Sequence, residues 1–158
     1  MDSDDLNSRL PLAECEPAEW FVVFHDKSDK WWVNLLAWGR FKHVSVFGKV
    51  PRSGSWVFYD LHSDRAHVIV VGDWEADMAI AYYSMCGPVI RFPRLLADAS
   101  GFVFRPGFWC VPAVAHIIGL RTCALRPDTL YRQILAKGGE LIGSEGRRDE
   151  NSEDGKRP

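Results

Sequence analysis

An excess of charge of one sign is missing from this chain: 19 Lys and Arg stand against 21 Asp and Glu, for a net charge of -2. The basic residues are scattered among acids, so the sequence shows no electrostatic footprint for nucleic acid. Long apolar runs are missing too. The longest, VIVV (68–71) and VPAVAHIIGL (111–120), fall far short of the ~20 residues a membrane span needs. Paired cysteines are absent. Cys15, Cys86, Cys110 and Cys123 have irregular spacings and no CxxC, which argues against a disulfide framework or a zinc knuckle. GxGxxG, GxxxxGK and HExxH do not occur, so nucleotide and zincin chemistry have no support and no cofactor is implied. The opening MDSDDLNSRLPLAE is acidic and polar, without the basic and apolar regions of a signal peptide. A cytoplasmic protein is expected; a place in a virion, or export by a host, would leave no mark.

What is present is a balanced globular composition. Of 158 residues, 47% are hydrophobic and 25% charged, the mixture of one domain of ordinary size. Aromatics reach 13% with 7 Trp, so many large faces need burial or a partner. Residues 1–17 are polar, with two prolines, and read as a flexible segment. Residues 143–158 carry no apolar side chain and read as a disordered tail. A single domain over 18–142 is left between them.

Within that body, strands are expected at 19–25, 43–50, 55–62, 65–72 and 88–92, and helices at 29–39, 73–87, 108–120 and 126–139. The turn-rich PRSG (51–54) predicts a hairpin between the second and third strands. Pro112 and Pro127 suit the first turns of the last two helices. Trp31, Leu35 and Trp38 share one face of the first helix and read as core, with Trp32 and Leu36 turned elsewhere. The sum is an α+β fold, an antiparallel sheet with helices packed on it.

Cys110 is the residue with the clearest chemistry. A thiol at a helix amino terminus meets unpaired N–H groups and the positive end of the dipole, which favour a thiolate. The same N–H groups suit an oxyanion. A thiol also needs a base. With 51–54 as the turn, facing residues of the hairpin sum to about 105, so His43 meets His62 and Ser45 meets Asp60. A register shifted by two sets His43 opposite Asp60. In either case His43, Asp60 and His62 share one sheet face, because the strand period is two. Trp56 falls on that face as well, and Trp109 adjoins Cys110. An imidazole with an orienting carboxylate or second imidazole is the base that nucleophilic catalysis requires. His62 and His67 are close enough in sequence to share a metal, but no third ligand has convincing spacing. His116 reads as a packed or partly exposed histidine, and Cys86 and Cys123 as inert core thiols.

The order His, then Asp or His, then Cys resembles the circularly permuted NlpC-type papain-like hydrolases and acyltransferases. The matching pieces are FKHVSVF (41–47), WVFYDLH (56–62) and FWCVPAVAHIIGL (108–120). Together with LRPDTLYRQIL (125–135), they also resemble small bacterial and phage proteins with a similar helix pair. The resemblance implies a permuted papain-like arrangement. Cys110 would be the nucleophile, His43 the base, and Asp60 or His62 the orienting residue, acting on a peptide, amide or ester. Trp109 departs from the acyltransferase branch, which has a polar residue before its cysteine. The rival expectation is a non-catalytic interaction or accessory protein that keeps the scaffold and binds a protein partner.

Overall fold

Six strands hydrogen-bond into one antiparallel sheet in the computed structural model, which describes residues 15–28, 30–31, 34, 38–62, 64–93 and 109–142. The strands are β1 (Glu19–His25), β2 (His43–Lys49), β3 (Trp56–Leu61), β4 (Ala66–Val71), β5 (Val89–Pro93) and β6 (Glu140–Ile142). Their order across the sheet is β4-β3-β2-β1-β5-β6. Three helices complete the described fold: α1 (Asp73–Cys86), α2 (Cys110–Ile117) and α3 (Pro127–Ala136). The α+β expectation therefore holds. None of the described helices is long and apolar enough to cross a membrane.

The hairpin forms in the expected register. Val46 faces Tyr59, Phe47 faces Phe58 and Lys49 faces Trp56, each pair summing to 105. The turn closes through Gly54 N–H to the Val50 carbonyl at 3.0 Å and Val50 N–H to the Ser55 carbonyl at 2.8 Å. Alternation then sorts every side chain to one of two faces. Trp20, Val22, Phe24, Val44, Val46, Ile90 and Phe92 form one core with Val111, Val114, Ala115 and Ile118 of the α2 region and Leu130 and Ile134 of α3. Val23, Phe47, Phe58 and Val89 form a second on the opposite face, met by Ala79, Ile80 and Tyr83 of α1.

Helix ends follow their punctuation. Pro127 opens α3, where a missing N–H costs nothing. Gly87 ends α1 with φ 157, and a side chain there would run into the Phe24 carbonyl. That close approach lets Phe24 N–H reach the Pro88 carbonyl at 3.0 Å and joins the end of α1 to β1.

Three expectations change. The helix over 29–39 falls mostly outside the described residues, as do Trp32, Leu35 and Leu36, the segment 1–14 and the tail 143–158. Trp31 and Trp38 are not core: they are 76% and 79% exposed. The described sheet faces are met by other helices, α1 on one side and α2 and α3 on the other. The expected strand β4 forms and is an edge of the sheet, with Val68, Ile69 and Val70 in solvent. β6 was not expected at all; it pairs with β5 and closes the other edge.

Candidate active site

The start of β2 is anchored from two sides before any site residue is considered. Lys42 N–H donates to the His25 carbonyl at 2.8 Å, which ties the strand to the end of β1. Asp128, in the first turn of α3, accepts from Arg40 N–H at 3.0 Å and Phe41 N–H at 3.4 Å. Gly39 lies against the Asp128 carboxylate with φ 113, in space a side chain would occupy. The segment leading into His43 is thus clasped by a residue far away in the sequence.

His43 then meets Asp60 diagonally across the hairpin. Its Nε2–H donates to Asp60 Oδ1 at 2.5 Å, while His62 Nε2 stands 3.3 Å from Asp60 Oδ2. The three side chains are mostly buried. Burial alone would disfavour a charged imidazole at His43. The hydrogen bond to Asp60, together with the hydrogen bond and charge of the adjacent Cys110 thiol, outweighs that penalty and raises His43 from its ordinary 6.5 to about 10. Burial likewise opposes ionisation of Asp60. The hydrogen bond from His43 and the charges of His43, His62 and His25 win, and hold its carboxyl below the usual range.

Two neighbours that sequence reasoning passed over complete this face. His25 faces His43 across β1 and β2, with ring centroids 5.2 Å apart. Its Nε2 shares a 2.7 Å hydrogen bond with Ser45, the one buried polar side chain among the described residues. On the far side, His62 stacks edge-on against His67 at 4.8 Å, and Arg65 Nε–H donates to His67 Nε2 at 3.2 Å. His25, His43, His62 and His67 therefore form a ladder across the sheet, four of the five histidines in the chain. The only signal for His25 was its position ending an apolar strand. Tyr83 of α1 leans edge-on against His25 with centroids 6.0 Å apart. Burial and the charge of Asp60 push its hydroxyl up to about 12, so it stays a hydrogen-bond donor.

Cys110 is the first residue of α2 and is half-buried. α2 packs through Val111, Val114 and Ala115 onto the Val44 and Val46 face of β2, and its first turn brings the thiol beside the His43 ring. One nitrogen of that ring is fixed, since His43 Nε2 is committed to Asp60. Trp109 caps the helix in an extended conformation, and its indole N–H donates to the Leu125 carbonyl at 3.1 Å. Pro112 removes one of the helix's unpaired amide donors, leaving those of Cys110 and Val111 at the start of the turn. His25, His43, Asp60, His62, Cys110 and Trp109 all line one cleft of about 1370 Å³, with Trp38, Ile69, Tyr82 and Met85 on its apolar side.

The structure thus gathers Cys110, His43, Asp60 and His62 in one place. Trp56 shares their sheet face but not the site. It stands four residues from Asp60 along β3, roughly 13 Å at the rise of a strand. There it packs on Phe21 and Phe47 and donates to Asp73 at 2.8 Å. His67 joins the ladder rather than a metal pair with His62 alone. Cys123 is exposed, not core, because it lies in the open connection between α2 and α3; Cys86 is half-buried and donates to the Tyr82 carbonyl. His116 is exposed. No protein family, curated protein or solved structure matches this chain.

Proposed function

We propose that this chain is a small cysteine hydrolase or acyltransferase with a permuted papain-like arrangement, acting on a peptide, amide or ester carbonyl. The observation that carries the reading is the sequence of contacts Cys110–His43–Asp60: a helix-start thiol beside an imidazole whose far nitrogen is held by a carboxylate at 2.5 Å. Asp60 takes the orienting role, since it bonds His43 directly, and His62 supports its second oxygen.

In this mechanism Cys110 and His43 rest as a thiolate–imidazolium pair, the thiol proton already held on the raised imidazole, and the thiolate attacks the carbonyl carbon. The carbonyl electron pair goes to oxygen, where the amides of Cys110 and Val111 stabilise it. Collapse expels the amine or alcohol, which takes the proton from His43, and leaves a thioester on Cys110. Water or another acceptor then attacks the thioester, gives its proton to His43, and releases the product with the thiolate restored. No cofactor enters any step. The apolar wall of the cleft, with Ile69, Tyr82 and Met85, favours a substrate with an apolar portion beside the reacting carbonyl.

The chain contains its own control. Cys15 and Cys123 are exposed thiols, and neither lines the cleft. An activated ester or chloromethyl ketone probe, read by peptide mass spectrometry, should acylate or alkylate Cys110 well ahead of Cys123. His43→Ala should slow Cys110 by about 10²- to 10⁴-fold, the usual worth of a positioned base, and leave Cys123 unchanged. Equal labelling of Cys110 and Cys123 in the native chain defeats the reading.

One observation favours a second reading, a non-catalytic interaction or accessory component of a bacterial or phage system. Trp74, Met78, Tyr82 and Met85 form an exposed stripe along α1 beside the exposed β4 edge, and contiguous apolar surface of this kind marks interaction sites. That reading gains if Cys110 is inert while the chain co-purifies stoichiometrically with one partner that Met78→Glu releases.

A further inference from the structure

We propose that His43, Asp60 and His62 constitute a binding site for one divalent transition metal of the zinc class, and that its occupancy switches the Cys110 thiol off. One ligand atom from each of the three residues lies within 4.8 Å of the others. Both histidine Nε2 atoms already converge on the two oxygens of one carboxylate, at 2.5 and 3.3 Å. An ion at their centre would replace one hydrogen bond and one looser polar contact by three coordinate bonds of about 2.0–2.2 Å, a displacement of side chains rather than backbone. Two imidazoles and a carboxylate are the donors a borderline cation selects, and three protein ligands leave the fourth tetrahedral position for water or a ligand in the cleft.

The surroundings fit a site held ready. Two outer histidines brace the ligand rings, His25 against His43 and His67 against His62. Each is fixed in turn, His25 by Ser45 and His67 by Arg65. Such outer contacts orient metal ligands and typically matter about 10- to 100-fold in affinity. The ligands are shielded yet border the open cleft, so an ion has a path in.

The second half of the proposal rests on the thiol chemistry proposed above. A metal on His43 Nε2 and Asp60 displaces the hydrogen bond between them. Asp60 then no longer orients the imidazole beside Cys110.

The test uses the full chain, freed of metal by a chelator, with Zn²⁺ titrated against a chromophoric competitor. The wild type, Cys110→Ala and His116→Ala should each bind one Zn²⁺ with the same affinity, and His62→Ala should lose at least tenfold. Co²⁺ on the wild-type chain should give a tetrahedral visible spectrum without a sulfur charge-transfer band, a readout that needs no variant. Equal binding by His62→Ala, loss of binding in Cys110→Ala, or a thiolate-to-cobalt band overturns the site. Bound Zn²⁺ should slow iodoacetamide alkylation of Cys110 at least tenfold in the wild type but not in His62→Ala. Zinc at the His62-dependent site without that protection overturns the switch alone. A Cys110 that is equally slow with and without metal counts against the thiol reading, and leaves the zinc titration to decide the site.

Discussion

On one face of the sheet, Val111, Val114, Ala115 and Ile118 with Leu130 and Ile134 are all fully buried against Val22, Phe24, Val44, Val46 and Ile90. On the other, α1 buries a single residue of its own, Ala76, and leaves Trp74, Met78, Tyr82 and Met85 in solvent. The candidate nucleophile begins a helix of the first face, whereas its histidine and carboxylate partners lie on the second. Packing fixes where Cys110 stands, since α2 cannot shift without opening a close-packed core. The thinner covering on the histidine side leaves the cleft open to a substrate.

Truncation should expose this contrast most strongly. Leu130→Ala or Ile134→Ala should cost about 2–5 kcal/mol, the range for emptying a fully buried aliphatic site, whereas Met78→Ala on α1 should stay within about 0.5 kcal/mol. Urea denaturation measures both. Similar losses on the two faces would mean that α1 is held as firmly as α2 and α3, and that the cleft side is not the looser one.

A pH titration sharpens the contrast on the histidine side. His43 is raised to about 10 in the folded chain from an ordinary 6.5. Its contribution to stability is therefore fully present below about pH 6.5 and is lost as pH rises through about 10. Asp60 is depressed, so its contribution is present above the ordinary 3.8 and is lost as acid protonates it below that value. Imidazole ¹⁵N shifts should show His43 still protonated at pH 8, and Asp60→Asn should move its titration back toward the ordinary value. If His43 is neutral at pH 8 in the native chain, the Asp60 bond is weaker than its geometry implies.

The smallest expected effect lies where the two faces meet. Trp109→Phe deletes the hydrogen bond to the Leu125 carbonyl and should cost about 1 kcal/mol, read as a shift in the denaturation midpoint. A loss several times larger would make Trp109 part of the packed face rather than a wall of the cleft.

Much of this arrangement was legible because short-range rules governed it. Gly54 and Pro51 set the turn, alternation set the faces, and together they put His43, Asp60 and His62 side by side. Pro127 and Gly87 marked helix ends for steric reasons that need no partner. The failures share a different cause. Periodicity tells which residues lie on one face but not whether anything covers it, so Trp31 and Trp38 read as core and are exposed. His25 was missed because its place depends on the β1–β2 register, a pairing across a connection with no turn signal. Nothing local to β6 announced a strand, since three residues gain a conformation only by pairing with β5.

The clasp between Asp128 and the Arg40–Phe41 amides spans 88 residues. It also sets an order in time. During synthesis the histidine ladder and Asp60 leave the ribosome well before Cys110, and Asp128 follows later still. The strand start that carries His43 gains the second of its two anchors only when α3 has docked. The contact between Cys110 and His43 is thus completed only when both helices of that face have been made.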